Sequence, residues 1–158
     1  LSLVLLEGLL RDPQLGGWQG LGLAVQAYQR RALAVIDHVA GLSSSTGQRL
    51  KVRLVKGAYW DSEIKRAQER GLEEYPVYTR KTSTDASWLG CAQRLIAAGP
   101  IVYPQFATHN AHSIGAVLAL RRKGTPLEFQ RLHTTQMRLP KPSLNWLMNW
   151  PKVLKLKA

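Results

Sequence analysis

The chain is short of the residues that mark several common chemistries. Cysteine occurs once, as Cys91, which excludes an intramolecular disulfide framework and a cysteine-rich zinc centre, and fits a reducing compartment. Acidic residues are scarce, 10 Asp and Glu against 22 Lys and Arg, for a net charge of +12. No apolar run approaches the roughly 20 residues of a membrane-spanning helix. Leu1–Leu6 lacks the basic leader and small-residue cleavage site of a secretory signal. The glycine-rich dinucleotide turn GxGxxG, the Walker loop and the GxSxG nucleophile elbow are all absent. The sequence opens on Leu1 rather than Met, as a segment of something longer would.

What is present has globular composition: 158 residues, 45% apolar and 20% charged, the material for one domain at about 100–200 residues per domain. The charge is uneven. Residues 134–158 hold five basic and no acidic residues, against seventeen and ten in the first 133. A basic chain attracts phosphates and anionic surfaces, so one reading is an interaction module for nucleic acid or an anionic membrane, with affinity that falls steeply with salt. No nucleic-acid motif supports it, and the aromatic residues are not interleaved with a basic run.

Hydrophobic patterning predicts helix and strand in alternation. Ser2 caps a helix over Leu3–Leu10, whose apolar residues are too dense for a solvated face. Leu21–Tyr28 reads as a buried strand, Arg30–Leu42 as a helix carrying Leu33, Ile36, Val39 and Ala40, and Ser43–Gly47 as the loop that ends it. Lys51–Gly57 is strand-like. Asp61–Leu72 is a charged helix with Asp61 and Glu63 at its start, where the helix dipole favours acids. An extended segment around Pro76 precedes a helix over Thr84–Ala98, with Trp88, Cys91, Ala92, Leu95 and Ile96 on one side. Ile101–Ala107 is a strand, Asn110 caps a helix to Lys123, and Leu127–Leu132 is a last strand. The order implies a parallel α/β architecture of four strands, either a small open sheet or half of an eight-stranded barrel of about 250 residues. Residues 134–158, with three prolines, break the pattern. Trp146, Trp150 and Leu154 there share one helical face that Pro151 interrupts, so a loose end is favoured over an interfacial helix.

Parallel α/β folds bind ligands at the carboxyl ends of their strands. Those ends carry Gln26, then Arg53 to Trp60, then Thr108-His109-Asn110, then Gln130 to His133. Alternation puts Arg53, Val55 and Gly57 on one face. A cation within an apolar strand needs a paired carboxylate or an anionic ligand, and a glycine lets a ligand approach the backbone or simply permits a turn. His109 and His112 lack a third ligand for zinc. His109, beside the helix start at Asn110, suits an anion such as phosphate. Thr79, Arg80, Lys81 and Thr84 form a second cluster of hydroxyls and cations, which by pattern alone reads as a solvated loop before a threonine cap. Arg121-Arg122-Lys123 reads as a solvated helix end.

Five strings in order, GLGLAVQAY (20–28), VRLVKGAYWDSEIKRAQ (52–68), YPVYTRK (75–81), YPQFATHNAH (103–112) and LEFQRLH (127–133), resemble the proline dehydrogenase family, closest to members that form one domain of a bifunctional bacterial proline-utilisation protein. The resemblance spans residues 1–133 and leaves 134–158 as a divergent basic tail, as a shifted reading frame would produce. It implies a partial (βα)8 TIM-type barrel, with the early strands and the last strand and helix outside this sequence. It implies oxidation of L-proline to 1-pyrroline-5-carboxylate by hydride transfer to FAD, with electrons passed to a quinone. By matched position, Gln26 resembles a contact of the flavin ring, and Arg53 resembles the arginine beside the reactive flavin nitrogen, which makes it the catalytic candidate. Val55, Lys56, Gly57 and Ala58 match further cofactor contacts, flanked by Tyr59 and Trp60. Thr79, Lys81, Thr84, Thr108, His109 and Asn110 match positions near the phosphates, ribose or adenine. Tyr59 and Leu132 match positions near proline.

The family's earlier lysine and aspartate, and the later arginine pair that grips the proline carboxylate, have no counterpart here. Arg121-Arg122 precedes the last strand and does not replace that pair. The expectation is therefore a fragment with weak or no catalysis alone. Its parent is expected to be cytoplasmic or peripheral at the inner membrane, and the partners the resemblance implies are the missing barrel segments or an aldehyde dehydrogenase domain of that parent.

Overall fold

The structure, a computed structural model, describes residues 2–121 and 124–130. Its elements are α1 (Ser2–Arg11), a single 3-10 turn (Pro13–Leu15), β1 (Gly22–Gln26), α2 (Ala32–Thr46), β2 (Leu50–Val55), α3 (Trp60–Glu69), α4 (Lys81–Ala97), β3 (Val102–Ala107), α5 (Ala111–Leu120) and β4 (Glu128–Gln130). The four strands form one parallel sheet in the order β1-β2-β3-β4. That order separates the two architectures left open above. A doubly wound sheet reverses its strand order at a switch point, whereas a barrel adds each strand beside the last. The sequential order here is that of a barrel wall.

The two faces of the sheet differ completely. Leu50, Val52 and Leu54 of β2, Val102, Pro104 and Phe106 of β3, and Val25 of β1 are buried, and α2 and α4 pack on that side. The central layer is Trp88 of α4 set edge-on to Phe106, with ring centroids 6.0 Å apart, and Phe106 meets Phe129 at 5.9 Å. The opposite face carries Gly22, Ala24 and Gln26, then Lys51, Arg53 and Val55, then Tyr103, Gln105 and Ala107, then Glu128 and Gln130. None of these is buried.

The apolar side of α4 is as expected: Trp88, Cys91, Ala92, Leu95 and Ile96 are all buried. Other expectations need correction. Helix α2 runs through the supposed loop at Ser43 to Thr46, where three of the four hydroxyls find a partner. Ser43 Oγ lies 2.6 Å from the Ile101 carbonyl and accepts from Leu50 N–H, while Ser45 and Thr46 donate back to the Leu42 carbonyl. Gly47, at φ 68°, ends the helix in the left-handed region. The buried stripe of α2 includes Ala32, Ile36, Val39 and Ser43 rather than Leu33, which is exposed.

Helix α4 starts at Lys81, three residues before the expected Thr84, on Arg80, which makes no side-chain cap bond. Helix α3 ends at Glu69 rather than Leu72. In α1 only Leu6 and Leu10 are buried, while Val4, Leu5 and Leu9 are exposed. The extended segment expected around Pro76 makes an antiparallel bridge between Val77 and Gln29. Arg121 stands at the end of α5, half-buried, and its Nε–H donates to the Thr125 carbonyl.

Candidate functional site

Gln26, Lys56 to Trp60 and Thr108 to Asn110 lie at or just past the carboxyl ends of β1, β2 and β3, as the sequence predicts, whereas Arg53 lies within β2 and Thr79, Lys81 and Thr84 lie around the start of α4. On the bare face, register aligns Ala24, Arg53 and Gln105 across β1, β2 and β3, and Gln105 faces Glu128. Gln105 Nε2 lies 3.3 Å from Glu128 Oε2, and Gln130 donates to the other oxygen. Arg53 is exposed and makes no ion pair among the described residues. It lines an open hollow of about 360 Å³ with Lys51, Ala24, Gly22 and Gln105. The alternative of a core carboxylate neutralising Arg53 therefore has no support among the described residues.

Beyond β2 the chain turns through Lys56 to Tyr59. Gly57 has φ 140°, and a Cβ there would come within 2.6 Å of the Tyr28 ring. The turn and the close approach both require glycine. Alternation thus stops at Val55, and Gly57 does not share a strand face with Arg53. Gln26 Oε1 lies 3.4 Å from the Ala58 N–H, tying the end of β1 to this loop. Burial pushes the Tyr28 phenol up from its ordinary value. Tyr59 is exposed at the start of α3, and the Trp60 indole N–H donates to the Tyr78 carbonyl at 2.8 Å. The segment before α4 is fastened to the end of β1 by Tyr78 N–H to the Tyr28 carbonyl, and by the ion pair of Arg30 with Glu74.

Lys56, the residue after β2, turns toward α4. Its ammonium donates to Asp85 Oδ1 at 2.6 Å, and Lys81 donates to Asp85 Oδ2, also at 2.6 Å. The hydrogen bonds from Lys56, then from Lys81, hold the Asp85 carboxyl below the usual aspartate value. Thr108 Oγ1 accepts from Asn110 N–H, and Asn110 Oδ1 accepts from Ser113 N–H at 3.1 Å, so Asn110 caps α5 as expected. A second hollow, of about 240 Å³, is lined by Lys56, Asp85, Leu89, Asn110, His112 and Ser113.

Of the predicted residues, Lys56 and Asn110 meet in this second hollow. Lys81 joins them through Asp85, and Arg53 belongs to the first. Thr79 and His109 are exposed, Thr84 and Thr108 half-buried, and none of these four lines either hollow. Leu132, the arginine–lysine step at 122–123 and the tryptophans of the tail lie outside the described residues. Sequence reasoning missed Asp85, and weighed His112 only as a zinc ligand. The signal for Asp85 was its i, i+4 spacing from Lys81, hidden by starting the helix at Thr84. The signal for His112 was its place in the first turn after the Asn110 cap.

Known proteins share this fold and much of this sequence. The family model for proline dehydrogenase matches residues 1–139. The chain is 55% identical over 136 residues to bifunctional protein PutA of Salmonella typhimurium, and 54% identical to that of Escherichia coli, covering 84% of this chain and 10% of each relative. It therefore spans about a tenth of the length of the curated relatives it matches. Among solved structures, a mutant of proline utilization A from Bradyrhizobium japonicum superposes with a TM-score of 0.80 at 56% identity, over 84% of this chain and 14% of that one. The protein of the same name from Bdellovibrio bacteriovorus, inactivated by N-propargylglycine, superposes at 0.78 and 33% identity, over 83% of this chain and 14% of that one. These neighbours are TIM-type barrels, and the sheet described above is a segment of such a barrel.

Proposed function

Since this chain belongs to the proline dehydrogenase family, we propose that it is the cofactor-binding part of an enzyme that oxidises L-proline to 1-pyrroline-5-carboxylate. The cofactor proposed is FAD, with a quinone as the final electron acceptor. The observation that carries the reading is Arg53, a cation on the bare sheet face without an ion-pair partner among the described residues. The donor set fits a flavin dinucleotide: an arginine on one face, and two lysines with a helix N-terminus at the rim.

FAD, when bound, supplies the two-electron acceptor that turns the C–N bond of proline into C=N. The chain's own residues do the rest. Arg53 contributes a fixed cation where negative charge would gather on reduction. Gln26 holds the Ala58 N–H, and with it the loop beside β2. Gly57 keeps that loop close to the sheet by offering no side chain to the Tyr28 ring. Lys56 and Lys81, with the α5 start at Asn110, offer cations and N–H donors to a diphosphate. The groups that grip the proline carboxylate, the remaining barrel strands and an aldehyde dehydrogenase domain belong to the rest of the parent protein, which works in the cytoplasm or at the inner membrane surface.

The test is a titration of the full chain with FAD, followed by absorbance and flavin fluorescence. Saturable binding is expected, together with its loss in the double variant Arg53→Ala, His109→Ala. A folded chain that leaves FAD free in solution would overturn the cofactor reading. Proline-dependent dye reduction is expected to be weak or nil for this chain alone.

A further inference from the structure

Lys56, which lines the second hollow, and Lys81, on the solvent side of it, do not stand alone: one carboxylate sits between them. Asp85 spends one oxygen on Lys56 and the other on Lys81. Lys56 comes from the turn after β2, and Lys81 opens α4 on the same helix as Asp85, one turn earlier. The carboxylate thus bridges two elements far apart in sequence. Lysine stems are flexible and lose much rotamer freedom when fixed, and two ammonium groups drawn to one place repel each other. Asp85 answers both problems. It fixes each Nζ by a charge-assisted hydrogen bond and cancels one of the two charges. An ammonium has three N–H donors, so each lysine keeps two for a ligand after bonding Asp85. Alongside them, Asn110 and Ser113 bring the start of α5 to the same hollow. Both oxygens of Asp85 are engaged, so the carboxylate is not itself a natural contact for an anion.

We propose that Asp85 is a positioning residue that holds Lys56 and Lys81 together as a two-cation clamp for the diphosphate of a nucleotide cofactor. The proposal rests on the reading of a flavin dinucleotide and deepens it, because Asp85 acts only through the two lysines. It predicts that removing the carboxylate weakens diphosphate binding even though the site gains net positive charge. A purely electrostatic site would do the opposite.

The experiment titrates the full chain, Asp85→Asn and Asp85→Glu with FAD and, separately, with ADP, which carries the diphosphate without the flavin. Calorimetry at physiological salt reads the affinities. For Asp85→Asn the expected result is a loss of about tenfold for both ligands, the scale of one charge-assisted hydrogen bond. Asp85→Glu, which keeps the carboxylate, is expected to restore most of it. Unchanged or tighter binding by Asp85→Asn overturns the clamp, as does a loss that Asp85→Glu fails to rescue, which would mark a merely structural role. FAD binding without ADP binding by the unaltered chain also overturns it while leaving the flavin reading standing. ADP binding that shows the Asp85 dependence without FAD binding sustains the clamp and removes the flavin reading.

Discussion

The two faces of one sheet have been built to opposite rules. On the helix-covered face, β2 and β3 contribute Leu50, Val52, Leu54, Val102 and Phe106, all buried. On the other face the same two strands contribute Lys51, Arg53, Tyr103 and Gln105, none of them buried. An antiparallel sheet with one wet face commonly looks like this, whereas an all-parallel sheet is normally covered on both sides. A parallel sheet with a polar, uncovered face is what a barrel wall presents when its inner side serves a ligand. The covered face accounts for stability and the bare face is the proposed seat of the chemistry, so substitutions on the two should separate accordingly.

The largest effect is expected at Trp88, which is fully buried at the junction of α4 and Phe106. Trp88→Ala should cost about 3–5 kcal/mol in urea unfolding, from lost burial plus the cavity left behind. Its indole N–H is buried without a hydrogen-bond partner among the described residues, so Trp88→Phe should cost distinctly less than Trp88→Ala. A Trp88→Ala chain as stable as its parent would break the assignment of the core to this face.

Gly57 sharpens the comparison because it lies where the two faces meet, at the rim. Alanine there would have to adopt φ 140° and meet the Tyr28 ring at 2.6 Å. Gly57→Ala should cost about 2 kcal/mol, from backbone strain and overpacking together, and should disturb the loop that Gln26 holds. Equal stability for Gly57→Ala and the parent chain would mean that the loop relaxes freely and does not anchor the site.

Much of this division is legible in the sequence, for specific reasons. The period of two in KVRLVK already separates Val52 and Leu54 from Arg53 and Val55, and the stripe from Trp88 to Ile96 has helical spacing. What escapes is set by contacts that no local pattern encodes. The serines at the end of α2 look like a loop until the Ile101 carbonyl and the Leu50 N–H supply partners for Ser43. The start of α4 carries no capping side chain, so Thr84 attracts the boundary and the Lys81–Asp85 pair goes unseen. The apolar density of α1 shows that some of it is covered but not which residues: Leu6 and Leu10 are buried, while Val4, Leu5 and Leu9 are exposed. At the site, Arg53, Lys56 and Asn110 were reachable from the rule that strand ends carry ligands. Asp85 required the helix register, and His112 the phase of α5 after its cap.

Arg53→Ala is the smallest expected change in stability, and the most informative. The side chain is exposed, has no ion-pair partner among the described residues, and stands on the face that no described helix covers. Surface substitutions of this kind usually change stability by no more than about 0.5 kcal/mol, so its urea midpoint should match that of the parent chain. Under the proposed function the same substitution weakens FAD binding, because it removes the fixed cation on the bare face. Unfolding and flavin titration on the same preparation therefore place Arg53→Ala and Trp88→Ala at opposite corners: one folded and poor in cofactor, the other short of stability at any cofactor concentration. If Arg53→Ala instead destabilised the chain as Trp88→Ala does, the bare face would be part of the scaffold, and an arginine kept exposed in the middle of a strand would need a structural partner rather than a flavin.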